Sequence, residues 1–262
     1  MSLSARQLID RLIAATGCTL PQTVDTIKCG DPAAAVTGVA VTFMATFDVL
    51  RRAAARNLNL VITHEPTFYH HFDTVERLAG DAVYAAKLQL LTQHRLVLWR
   101  FHDYPHTQRP DAILAGMVAA LGWQRYQSPE NPHVFTLPPT TLGALALTLR
   151  QKLGGTVVRS TGQRAMPVTM VALSPGSPGA DRHLKFLQRG DVEVLITGES
   201  AEWETNEYVR DASAAGLAKG LILVGHRNSE EAGMESIAHW VRANVPEVPV
   251  EYLPAGDPFW LP

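Results

Sequence analysis

Leu58-Asn59-Leu60-Val61-Ile62-Thr63-His64-Glu65-Pro66 is an apolar, β-branched run that stops at an imidazole, a carboxylate and a proline. A short run of this kind, bounded by turn formers, reads as a strand buried on both faces. Helical patterns lie on either side, at 48–56 and 81–94, and a second buried strand follows at 96–99. Strands alternating with helices predict parallel strands covered by helices. Further out, 36–46 reads as a strand and 111–121 as a helix closed by Gly122. Ser4 followed by Leu8, Ile9, Leu12 and Ile13 marks a first amphipathic helix that ends at Gly17.

Gln127-Ser128-Pro129-Glu130-Asn131-Pro132 interrupts the pattern and is the expected boundary. Beyond it the alternation resumes, with helices at 142–153, 181–189, 205–215 and 229–243. Strands are expected at 156–159, 168–173, 192–197, 221–224 and 249–253. The fold class is therefore α/β, as two linked lobes, 1–126 and 133–262, with mostly parallel sheets. The 262 residues hold 23 Lys+Arg against 25 Asp+Glu, a net charge of −2, which supplies no basic footprint for nucleic acid. No stretch is apolar for long enough to span a membrane. Cys18 and Cys29 are the two cysteines, spaced unlike a zinc knuckle, and read as packed thiols of a cytoplasmic protein.

Of the ten histidines, His64, His102, His106 and His226 fall where chemistry is expected, just beyond the carboxyl ends of strands. His64-Glu65 follows one strand, His102-Asp103 and His106 a second, Glu199 a third, and His226 with Glu230 a fourth. A lone histidine at a strand end more often caps or packs. Four such ends in one chain point to convergence. Imidazole and carboxylate without thiolate suit Zn, Fe or Mn. The tract from His64 to His71 is not a helical H-E-x-x-H motif, because the next histidine is His70 and Pro66 opposes a helix. His70, His71 and Asp73 read as a loop, with His70 and His102 as supports behind the ligands. His226 is expected on a turn, with Asn228 or Ser229 capping the helix that carries Glu230. Ser174-Pro175-Gly176-Ser177-Pro178-Gly179, between a strand and a helix, is a tight turn or an anion cradle.

At these residues the chain resembles the Nif-three-like (interacting factor three) family, also labelled GTP cyclohydrolase I type 2 homologues. Val61-Ile62-Thr63-His64-Glu65-Pro66 is similar to the family's strand ending in His-His, and Ile196-Thr197-Gly198-Glu199 to its T-G-[DE] strand end. Gly225-His226-Arg227-Asn228-Ser229-Glu230 matches its G-H-x-x-S-E element in full. The resemblance implies a dinuclear metal site between two α/β lobes, in the compact version that lacks a central insertion. By motif it places metal ligands on His64, Glu65, His106, His226 and Glu230. Glu65 stands where the family has its second His, and His106 where it has a bridging Asp. The two departures offset in charge, since three His, one Asp and one Glu carry the same two negative charges as these five residues.

The resemblance further implies one or two divalent ions per subunit and a homo-oligomer, a hexamer. The apolar stretch from Tyr252 to Pro262, with Phe259 and Trp260, adds to the expectation of assembly. The expected chemistry is hydrolysis by metal-bound hydroxide, with Glu199 or Asp103 as general base, on a small anionic substrate such as a nucleotide or phosphoester. The alternative is a metal-binding oligomer that serves as a scaffold or regulatory partner without catalysis.

Overall fold

The structure is a computed structural model and describes residues 3–262. The chain forms α1 (Ala5–Ala15), β1 (Ile27–Cys29), β2 (Val39–Thr42), α2 (Phe47–Ala55), β3 (Leu60–Thr63), α3 (Ala82–Gln93), β4 (Val97–Arg100), α4 (Asp103–Thr107) and α5 (Ala112–Leu121). There follow β5 (Val134–Thr141), α6 (Leu142–Leu153), β6 (Arg159–Thr161), β7 (Pro167–Ser174), α7 (Ala180–Leu187), β8 (Val194–Thr197), α8 (Glu207–Ala214), β9 (Gly220–Leu223), α9 (His226–Asn244) and β10 (Val250–Tyr252).

Two compact units result: Met1–Ala112 with Met234–Gly256, and Ile113–Gly233 with Asp257–Pro262. Each contains one five-stranded sheet. In unit 1 the order is β1-β4-β3-β2-β10, with β10 returning late in the sequence to pair parallel with β2. In unit 2 the order is β5-β7-β8-β9-β6. The inner strands β2, β3, β4, β8 and β9 are buried at every position, which is why they read as continuous apolar runs rather than alternations. The antiparallel members β1, β5 and β6 all lie at sheet edges. Sequence boundary 127–132 lies within unit 2, just before β5.

Several local expectations need correction. The strand expected at 156–159 forms at Arg159–Thr161 and runs antiparallel to β9. The strand expected at 36–46 shortens to the four residues of β2. β1 and β5 were not expected. β5 contains Pro138 and Pro139, which an edge strand tolerates where its register breaks between Thr136 and Thr140. His226 is not on a turn: α9 starts at His226 itself. Asn228 donates Nδ2–H to Val224 O, just before the helix, at 2.7 Å and Ser229 Oγ–H to His226 O, inside it, at 2.7 Å, so neither side chain caps a later helix start. Gly225, at φ +94°, makes the sharp exit from β9 that lets the helix begin there. No helix among the described residues is long and apolar enough to cross a membrane.

Candidate metal centre

In unit 1, β3 and β4 are parallel with Thr63 opposite Arg100, so His64-Glu65 and Phe101-His102 leave the sheet side by side. His102 precedes α4, and the helical turn places His106 over it. The ring centroids of His64, His102 and His106 are 4.7, 5.3 and 5.0 Å apart. One nitrogen from each lies within 4.8 Å of the others, and Glu65 offers an oxygen at the same range from His64.

All three rings are oriented by the same device. His64 Nδ1 meets Phe101 O at 3.1 Å, His102 Nδ1 meets Asp103 Oδ1 at 2.8 Å, and His106 Nδ1 meets Asp111 Oδ2 at 2.9 Å. A carbonyl or an ionised carboxylate can only accept, so each bond requires the proton on Nδ1 and leaves the lone pair on Nε2. Metal-binding imidazoles are held in this way. Burial, and then the neighbouring His64, push His102 down to about 4, so its ring is neutral at pH 7. His70 shows the opposite arrangement. Its Nδ1 accepts from Phe72 N–H at 3.4 Å and faces the Thr74 hydroxyl at 2.7 Å, and it lies outside the three-ring group. His71 presses its ring edge-on against His102 at 5.8 Å.

The loops carrying these rings rest on buried polar side chains. Asp25 accepts the backbone N–H groups of His102 and Asp103 at 2.8 and 2.9 Å through Oδ1, and that of Tyr104 at 3.0 Å through Oδ2. It thereby supplies the N-terminal cap that α4 lacks in its own sequence. Burial pushes the Asp25 carboxyl up, against those same hydrogen bonds. Burial also raises Asp103, but hydrogen bonds from His102, Val24 and Thr23 outweigh it and hold the carboxyl below its usual range. Arg100, fully buried, donates Nε–H to His64 O at 3.0 Å and a second N–H to His71 O, tying the two loops together.

In unit 2, β7, β8 and β9 end together, with Ser174 opposite Thr197 and Thr197 opposite Leu223. His226 and Glu230 share one face of α9. His226 Nε2 lies 3.2 Å from Glu230 Oε2, and its Nδ1 lies 3.1 Å from Glu199 Oε1. The imidazole is thus held between a buried and a half-exposed carboxylate, and a cation at the Nε2 side would displace the proton between His226 and Glu230. Gly176 passes close by at φ +76°, and a β-carbon there would collide with Glu230 Oε1. Its N–H donates to Ser229 Oγ at 2.9 Å. The loop 174–179 therefore faces a carboxylate at Gly176 and spends that N–H on a hydroxyl, which is not an anion cradle at this point.

The structure brings His64, His102 and His106 together in unit 1, with Glu65 beside His64, and joins Glu199, His226 and Glu230 in unit 2. His102, expected as a support, offers a nitrogen in the same three-histidine group as His64 and His106. Asp111 and Asp25 are the residues of this candidate site that the sequence alone does not reveal. Asp111 reads only as the start of a helix, and Asp25 carries no sequence signal, because its partners lie 77 to 79 positions away.

A family model described as Duf34/NIF3 (NGG1p interacting factor 3) matches residues 6–256. Among solved structures the chain is similar to a Bacillus cereus protein related to NIF3, with a TM-score of 0.79, 13% identity and 100% of both chains covered. A Staphylococcus aureus hypothetical protein matches with a TM-score of 0.78, 16% identity and 100% of both chains covered. Reduced HcgD from Methanocaldococcus jannaschii matches with a TM-score of 0.69 and 12% identity, covering 97% of this chain and 98% of the other. No curated protein matches the sequence.

Proposed function

Because the chain belongs to the Duf34/NIF3 family, we propose that it is a divalent-metal protein and a metal-dependent hydrolase of nucleotides or phosphoesters. The observation that carries this reading is the common orientation of the histidines, each with Nδ1 held by an oxygen acceptor. His64, His102 and His106, with Glu65, are the ligand set in unit 1, and His226 with Glu230 the set in unit 2. Imidazole and carboxylate fit Zn, Fe or Mn, and the ligand groups contain no cysteine. A bound cation of this kind lowers the pKa of a coordinated water to about 7 and polarises a carbonyl or phosphoryl oxygen.

The chain's own residues then divide the work. Phe101 O, Asp103 and Asp111 keep the proton on Nδ1 of their histidines. Asp103 is engaged by His102, Thr23 and Val24, so it positions His102. Glu199, with a half-exposed side chain, is assigned as the general base. The GTP cyclohydrolase label and two ions per subunit rest on the family resemblance, as does the hexamer. Exposure of Phe259 (63%) and Trp260 (78%) adds support for assembly, since neither ring is docked on its own subunit. Light scattering that gives a monomer at micromolar concentration refutes the assembly.

The experiment is metal analysis of protein purified without chelator, followed by a screen of nucleotides and phosphoesters. The proposal expects Zn, Fe or Mn at one to two equivalents per subunit. His102→Ala and His226→Ala should each lower metal content with little loss of folding, since a chain of this size does not depend on one metal to fold. Full metal content in both variants refutes it.

A further inference from the structure

We infer that a groove on unit 2, between α6 and the segment joining β6 to β7, binds a small phosphomonoester with an apolar body. The groove is a cavity of about 350 Å³, within the size range of small-ligand sites. One wall is a face of α6, with Ala146 and Leu147 on one turn and Arg150 on the next. The other is formed by Val158, Ser160 and Arg164. Leu147 is 53% exposed on that wall, an apolar side chain left in water.

The two arginines set the chemistry. The Arg164 backbone is tied to the helix, its carbonyl accepting Gly143 N–H at 3.0 Å. A β-carbon at Gly143 would lie 2.7 Å from Arg164 Cγ and 3.2 Å from its Nε, so glycine is what lets the arginine stem lie against α6. Neither the Arg164 nor the Arg150 guanidinium has a hydrogen bond or ion pair among the described residues. Elsewhere on the unit the guanidiniums of Arg159, Arg189, Arg210 and Arg227 are paired with Glu202, Asp191, Glu207 and Glu231. A favourable charge at the helix C-terminus accounts for Arg150 alone, and not for Arg164.

Two unpaired guanidiniums match the charge of a phosphomonoester, about −1.5 to −2 at pH 7, and a guanidinium fork suits phosphate oxygens. The Ser160 hydroxyl adds a donor, and Ala146, Leu147 and Val158 cover an alkyl or aryl body.

Calorimetric titration of chelator-treated protein, in which no metal centre competes for phosphate, with hexyl phosphate, inorganic phosphate and hexanol tests this. Hexyl phosphate should bind at one site per subunit, and inorganic phosphate more weakly. Hexanol should not bind. Arg150→Gln and Arg164→Gln, at unchanged melting temperature, should each weaken hexyl phosphate by roughly tenfold, the loss of one charge-assisted contact. Leu147→Asn should weaken hexyl phosphate and leave inorganic phosphate unaltered. His226→Ala should still bind hexyl phosphate, which separates this site from the metal proposal. Unchanged binding in the Arg150→Gln/Arg164→Gln double variant overturns the inference, as does loss of binding in His226→Ala. A change of oligomeric state in the double variant also overturns it, since the groove would then be covered by a second copy.

Discussion

Replacing Gly176 by alanine should disable the unit 2 ligand pair, and the structure supplies a matched control. Gly176 sits at φ +76° and Gly179, three residues on in the same loop, at φ +88° and ψ 164°, so either substitution puts a side chain on a positive-φ backbone that favours glycine, at a cost of about 1–3 kcal/mol. They differ in what the new methyl meets. At Gly179 nothing lies within 4 Å, whereas at Gly176 the methyl overlaps Glu230 Oε1 and approaches Glu230 Cδ at 3.2 Å and His226 Nε2 at 3.5 Å. Glu230 is 3% exposed, so its carboxylate must retreat by several tenths of an ångström inside a packed environment, away from the His226 nitrogen it faces at 3.2 Å. Both variants should lower the melting temperature by roughly 2–12 °C from the backbone term alone. Gly176→Ala alone should also lower metal affinity, by roughly 10–100-fold, the usual result of misplacing one group at a metal site. The assay is thermal denaturation paired with competition against a chromophoric chelator. Equal metal affinity in Gly176→Ala and Gly179→Ala would refute the assignment of Glu230 as a ligand held by that close approach.

Asp111→Asn should weaken metal binding by roughly 10–100-fold at nearly unchanged stability, because an amide can present N–H to His106 Nδ1 and move the ring proton onto Nε2; an unaltered affinity would show that Asp111 does not set the tautomer. His183 is fully buried between the hydroxyls of Thr197 and Thr205, and burial, then the charge of Arg182, push it down to about 4. Between pH 6.5 and 4 the unfolded chain therefore binds the extra proton, so stability should fall by about 3 kcal/mol as pH drops through that window and level off below it. Urea titrations at pH 7, 5.5 and 4 check this, and an acid limb of the same depth in His183→Gln would show that another group is responsible. Glu65→His should weaken metal binding by removing a negative charge, while Glu65→His with His106→Asp should restore it. Equal binding by the single and double variants would mean that the two positions are not coupled.

The sequence by itself determined the class of the fold and the kinds of side chain at the candidate site. Inner parallel strands are buried on both faces, so β3, β4, β8 and β9 had to be written as unbroken apolar runs, and such runs are legible without partners. Their polar endings, His64-Glu65, His102 and Thr197-Gly198-Glu199, are legible for the same reason. Edge strands carry less of this signal, and β5 with Pro138 and Pro139 was hidden because only its place at the margin of the sheet makes those prolines tolerable.

Only the tertiary structure decided which nitrogen each histidine presents. That depends on acceptors reached through space. Phe101 O serves His64 across 37 positions, and Glu199 serves His226 across 27. Asp25 caps α4 from 77 to 79 positions away. A hydrogen bond depends on distance and angle, which periodicity along a chain does not encode, whereas burial of a whole strand depends on the composition of its neighbours in sequence. The start of α9 shows both at once. Gly225 marks where the strand must turn, but His226 belongs to the helix because Asn228 donates to Val224 O just before it and Ser229 to His226 O within it, so neither caps a later start.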